Sequence, residues 1–179
     1  MATSTGWHRT LKGVHWLVAI LLVMTWASVE LHEFVEKGAP WRDRWVMLHI
    51  SFGVTVLILM LFRLYLRVRH PTPPLIGAPW QRGLSQLVHL GLYLSVIAMP
   101  IAGFLMRQFA GKGTMIFGLG PMPQLLTPNA QIAEILAWLH KDLLWYVLLA
   151  LVGIHVAGAL WHHFIDHDDT LRRMASPRR

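Results

Sequence analysis

Four long apolar runs with histidines at definite depths along them constrain this chain more than any other feature. A segment needs about 20 mostly apolar residues to cross the hydrocarbon core of a bilayer. Four stretches qualify, at about 14–29, 46–66, 84–106 and 143–164. In lipid each must be helical, because an isolated apolar segment satisfies its backbone groups only as a helix. Barrel strands would be shorter and would alternate apolar with polar residues, which these runs do not. The expected fold is all-α, an integral membrane four-helix bundle, with residues 1–179 as a single membrane-embedded domain. The breaks between runs are Gly38-Ala39-Pro40, then Pro71-Thr72-Pro73-Pro74 with Pro79, then a Gly- and Pro-rich stretch from Gly111 to Pro128. Thr127 as N-cap and Pro128 as first helical residue predict the start of the fourth helix. It would then run amphipathically through Ile132, Ile135, Leu136 and Leu139 before entering the bilayer.

Composition narrows the chemistry. Only 14% of residues are charged and 55% are hydrophobic, against about 25% charged in a soluble domain. The chain has no cysteine, which excludes disulfides, thiolate iron–sulfur clusters, Cys-based zinc sites and covalent c-type haem attachment. The net charge of +7 does not argue for nucleic acid, because its arginines fall between apolar runs rather than on one solvated face. They read as membrane topology instead. Arg9, Lys12, Arg63, Arg67, Arg69, Arg82, Arg172, Arg173, Arg178 and Arg179 fall on one side of a four-span chain, and Lys37, Arg42, Arg44, Arg107, Lys112 and Lys141 on the other. The side richer in Lys and Arg is expected to face the cytoplasm, so both termini are expected there, in a bacterial inner membrane. No small-residue cleavage site follows the first apolar run, so it reads as an anchor and not a signal peptide. Trp7, Trp16, Trp41, Trp45, Trp80, Trp138 and Trp161 lie near run ends, as an interfacial belt would. Pro100 and Gly103 inside the third run are expected to mark a kink or a close helix contact.

The histidines carry the function. Intramembrane ionisable residues are costly and usually functional, although a single one can be an interhelical hydrogen-bond partner. Helices running up, down, up and down put His15 near the termini side and His49 near the opposite side. His140 enters the fourth helix on that opposite side. His155 follows 15 residues later, which at 1.5 Å per residue is ~22 Å, most of the bilayer core. Matching depths therefore pair His15 with His155 and His49 with His140. Two imidazoles facing each other across a bundle suit a bis-histidine haem, and a pair near each surface makes a two-step electron path. Gly13, Gly53, Gly153, Ala157 and Gly158 would leave room for a flat macrocycle or simply allow close packing. Porphyrin-free zinc or copper would need three or four converging ligands, which histidines at opposite faces cannot supply. No HExxH motif, phosphate loop or nucleophile elbow is present.

These stretches make the chain resemble the bacterial cytochrome b-561 family. The resemblance lies in Val14-His15-Trp16-Leu17, Leu48-His49-Ile50-Ser51-Phe52-Gly53, Arg69-His70-Pro71-Thr72-Pro73-Pro74, the run from His155 to Phe164, and the tail from Asp168 to Met174. It covers nearly the whole chain. It implies two haems b, the termini-side one on His15 and His155 and the other on His49 and His140. In that family the two helix-four histidines usually stand 14 residues apart, so the 15 found here imply a local bulge. The resemblance also implies superoxide oxidation coupled to ubiquinone reduction. Arg42, Arg44, Arg107, Lys112 and Lys141 would then attract the anion, unless they are an ordinary solvated face. His162, from the His162-His163 pair, would donate to the quinone, with Trp80 and Arg82 completing the site and His89 as another proton donor. Two other functions compete. The bundle would serve equally as an electron-transfer subunit anchoring a dehydrogenase or hydrogenase as redox partner. A haem-free transporter or membrane scaffold would use its histidines for protons.

Overall fold

The computed structural model describes residues 6–39 and 41–175, so Pro40, Arg178 and Arg179 lie outside the described residues. Three helices, α1 (Arg9–Phe34), α2 (Arg42–Arg69) and α3 (Pro79–Phe109), are followed by a composite rod. The rod consists of α4 (Ala130–Trp138), a π turn (Leu139–Leu143) and α5 (Leu144–Phe164). These four units are long and apolar enough to cross a membrane. Each outruns its apolar run because flanking polar residues continue the helix past the apolar run. α2, for example, carries Arg67 and Arg69 in its last turn.

The fourth rod starts two residues later than the sequence predicts. Asn129, not Thr127, is the N-cap, and its side-chain oxygen accepts from the Ile132 N–H at 3.1 Å. Asn is as good a cap as Thr and better placed to reach the first turn. α3 runs unbroken through Pro100.

The Gly- and Pro-rich third connection is not featureless. It holds a short antiparallel hairpin, β1 (Thr114–Met115) with β2 (Pro121–Met122). Phe117 sits in its turn at φ +48 and donates its N–H to Ser51 Oγ on α2 at 2.8 Å. Gln108, fully buried, donates to the Pro123 carbonyl and accepts from the Leu125 N–H. An unpaired buried amide would be costly, so the loop is held against α2 and α3. At the other end of the bundle, α6 (Thr170–Ala175) turns back over the helix ends. Trp16 Nε1 donates to the Met174 carbonyl, and Arg173 donates to the Pro74 carbonyl, both at 3.2 Å.

Neighbours in sequence are neighbours in space. α1 packs on α2, α2 on α3, and α3 on α4 and α5, whereas α1 with α5 and α2 with the π turn approach only sparsely. The internal cluster includes Leu11, Val14, Val18, Val56, Met60, Val96 and Leu148. Ile20, Val23, Ile58, Leu61, Leu87, Leu94 and Leu149 point outward, which in water would be prohibitive and in lipid is required.

Candidate functional site

The sparse contacts coincide with the histidines. His15 on α1 and His155 on α5 have ring centres 6.1 Å apart, and His49 on α2 and His140 in the π turn 6.0 Å apart. With metal–nitrogen bonds of about 2 Å, two imidazoles gripping one iron from opposite sides stand about 6 Å apart centre to centre. The rings thus meet across gaps between helices, not at packed seams.

The pair at the hairpin end is fixed by backbone. His49 Nδ1 donates to the Thr25 carbonyl at 3.0 Å, and His140 Nδ1 donates to the Met99 carbonyl at 2.8 Å. Occupying Nδ1 in this way sets the tautomer and leaves Nε2 as the metal-facing lone pair. Gly103 makes the space: a Cβ there would lie 2.8 Å from His140 Cε1 and 3.0 Å from its Nδ1. Gly103 therefore serves as a cradle for the imidazole, a role that reading it as a kink or packing residue misses. The π turn at Leu139–Leu143 contains His140. A π turn takes up an extra residue without ending the helix, which is the bulge implied by the 15-residue spacing.

The pair at the termini end is built differently. Neither His15 nor His155 has a hydrogen-bond partner for its ring among the described residues. Instead a third ring, His89 on α3, stands 5.3 Å from His155, with its Nδ1 hydrogen-bonded to Ser85 Oγ at 3.2 Å. The sequence suggests His89 only as a proton donor, and its place in this cluster becomes visible once α3 and α5 pack.

Beyond that pair, the tail and the second connection form a polar cluster. His162 Nδ1 lies 2.6 Å from Asp168 Oδ2 and 3.3 Å from Asp166 Oδ2. His167 between them adopts φ +53, which turns both carboxylates toward one imidazole. Gln81 Nε2 donates to Asp166 at 3.0 Å while its Oε1 accepts from the Ala78 N–H at 2.6 Å. Gly77, at φ +102, is held where a side chain would be strained, and a Cβ there would lie 2.5 Å from Gln81 Oε1 and 3.1 Å from His162 Cε1. Burial pushes the Asp168 carboxyl up, but hydrogen bonds from Thr170 and His162 outweigh it and hold the group below the ordinary carboxylate range. The ligating atoms of His162, Asp166 and Asp168 all lie within 4.8 Å of one another. The 2.6 Å contact is a hydrogen bond too short to admit an ion between its partners. Arg82 lines an open pocket of about 460 Å³ together with Pro74, Leu75, Pro79, Gly83 and Gln86. Trp80 is exposed and makes no ring contact or hydrogen bond with His162 among the described residues.

The donor set therefore fits a flat, bis-histidine-ligated macrocycle at each end of the bundle: neutral nitrogen ligands at the right spacing, gaps between the helices that bear them, and a cradle that only glycine provides. Residues 6–177 match the family model described as prokaryotic cytochrome b561. The chain belongs to that family. It is therefore a multi-pass inner-membrane cytochrome of the b type, an oxidoreductase that binds haem b. Its relatives include the "Probable superoxide oxidase CybB" of Yersinia pestis, 36% identical over 93% of this chain and 94% of that protein. The "Cytochrome b561 homolog 1" of Escherichia coli K12 is 31% identical over 93% of this cytochrome and 94% of its own length. "Cytochrome b561 homolog 2" of the same organism is 35% identical over 89% and 86%.

Proposed function

We propose that this cytochrome oxidises superoxide at its hairpin end and reduces ubiquinone at its termini end. His49 with His140, and His15 with His155, each hold one of two haems b, and both termini face the cytoplasm. The observation that carries the reading is the pair of facing imidazoles at haem spacing near each end of one bundle. When bound, the haems supply one-electron redox chemistry.

The chain's own residues supply the rest. Two superoxide anions give up one electron each and leave as dioxygen; one quinone takes both electrons and two protons. At the hairpin end, Arg42 is committed to the His32 and Val35 carbonyls, and Arg107 to Thr114 and the Gly113 carbonyl. Arg44, Lys112 and Lys141 have no such partner among the described residues, so they are the cations available to steer an anion. At the termini end, His162 gives its Nδ1–H to Asp168 and presents Nε2, which has no protein partner among the described residues. In that orientation a proton on Nε2 can pass to a quinone oxygen while the ring stays held. Arg82 beside the open pocket offers a second donor, and Trp80 an exposed aromatic face for the ring.

The test uses purified protein given pulses of superoxide, with absorbance followed at the haem bands. Reduction beyond the buffer control, reversed by added ubiquinone, is expected. Absence of reduction removes superoxide as donor, and persistence of the reduced spectrum after ubiquinone removes quinone as acceptor.

A further inference from the structure

One buried polar atom among the described residues lacks any partner: Nε of Arg63. A guanidinium inside a membrane span is expensive unless its charge and its hydrogens are matched. Arg63 lies six residues from the end of α2, and His15 six from the start of α1. Both are therefore ~9 Å inside the helix ends on the same face. The Arg63 guanidinium stacks on the Tyr93 ring, with Cζ 5.2 Å from its centre. It is within electrostatic reach of His15, His89 and His155.

Among the described residues no ion pair answers it. One turn on, Arg67 adds a like charge on the same face of α2, and its own contact is the Trp7 ring at 4.7 Å. Like charges four apart repel. The acids of the tail are engaged elsewhere, Asp166 and Asp168 with His162 and Asp169 with Arg172. A site with two cations, a shielded unpaired N–H and three imidazoles calls for a negatively charged group from outside the chain. Arginine's planar fork suits a carboxylate in particular.

We propose that Arg63 binds a carboxylate side group of the haem at the termini end. Haem b carries two such groups on one edge of the ring, and a macrocycle held between His15 and His155 with that edge turned toward α2 would present them to Arg63. The inference rests on His15 and His155 holding that haem. Arg63 is a positioning residue here: it orients the ring and offsets the charge of its acid group.

The experiment is a spectroelectrochemical titration of the haem-loaded wild type, Arg63→Met, Arg63→Lys and His155→Ala, with infrared difference spectra on protein carrying haem ¹³C-labelled at its carboxylates. Loss of one haem in His155→Ala identifies which spectral component is which. Arg63→Met is expected to lower the midpoint potential of that component alone, because an unpaired carboxylate favours ferric iron, and to shift its labelled carboxylate bands. Arg63→Lys, which keeps the charge, should hold the potential near wild type. Weakened retention of that one haem in Arg63→Met, repaired by Lys, would support the same conclusion. If His155→Ala keeps both haems, the ligand assignment falls and the proposal with it. If that haem is lost but Arg63→Met leaves its potential and its carboxylate bands unmoved, the proposal alone is overturned. Unmoved bands with a change confined to lipid phosphate would identify a phospholipid headgroup as the anion and overturn it too.

Discussion

The two histidine pairs have the same spacing and opposite construction. At the hairpin end, both rings are tied to main-chain carbonyls, Thr25 and Met99, and one lies in a notch at Gly103. At the termini end, His15 and His155 have no such ties among the described residues, and a third ring and a half-buried arginine with a buried Nε lie around them. Backbone carbonyls belong to helices and hold their geometry whatever is bound. The hairpin-end site is therefore set before any cofactor arrives, while the other depends on side chains and on the cofactor for its final arrangement. That contrast suits the proposed roles. In that proposal one end meets a small anion at its surface, and the other passes both electrons and protons to a larger molecule.

The severest way to break the comparison is to remove one ligand from each pair. His140→Ala and His15→Ala should each lower the haem-to-protein ratio from about two to about one, as read by haem extraction. Each should also stop superoxide-driven quinone reduction. A single variant that loses both haems would show the sites to be interdependent.

Next in size is Gly103→Ala. Its new Cβ would press on His140, so haem retention at the hairpin end should weaken roughly 10–100-fold, the range seen when a ligand's supporting contacts are disturbed. Gly113→Ala beside the hairpin, where a Cβ meets nothing within 4 Å, should leave both haems in place. Equal effects of the two would dissolve the preorganised notch.

A smaller effect is expected at the tail. Asp168→Asn keeps an oxygen for the Thr170 N–H but removes the charged acceptor of His162. Ubiquinone-driven haem reoxidation should slow by about tenfold, with haem content unchanged. The same carboxylate gives a pH signature. Its folded-state affinity for protons is depressed, so its contribution to tail docking is fully present above the ordinary carboxylate range. That contribution fades as pH falls below this range, through the lowered folded value. An acid-active protease should therefore cut the 165–175 segment slowly near neutrality and faster only in acid. Faster cutting already at pH 6 would contradict it.

The mildest change is Ser51→Ala, which deprives the Phe117 N–H of its acceptor. A loss of about 1 kcal/mol confined to the hairpin should appear as faster amide exchange over residues 114–122, with the His49–His140 site undisturbed.

Much of this architecture is legible in the sequence, and the reasons differ by feature. The helices are legible because lipid leaves an apolar run few alternatives. The proximity of His15 to His155 and of His49 to His140 is legible because helix rise turns sequence separation into depth. The cradle at Gly103 is not, because its meaning depends on a ring 37 residues away. Gly77, Gln81 and the two tail carboxylates escape for the same reason: residues from a proline-rich connection and a short C-terminal turn meet only after the chain folds back. Arg63 is visible in the sequence only as one more basic residue on its side of the membrane. Its unpaired nitrogen becomes apparent only once every neighbour is in place.

The π turn between α4 and α5 has a consequence for how this bundle tolerates change. Each residue of a regular helix carries its successors round by about 100°, so the extra residue between His140 and His155, if it were not taken up by the π turn at Leu139–Leu143, would swing the whole of α5 by more than a quarter circle relative to His140. The turn works as a vernier between the two histidines, His140 and His155, strung on a single rod, letting an insertion be absorbed locally while both keep their bearing. One residue added between Leu144 and Ile154, with no second π turn to absorb it, should misalign His155 without touching a single residue of the site it belongs to.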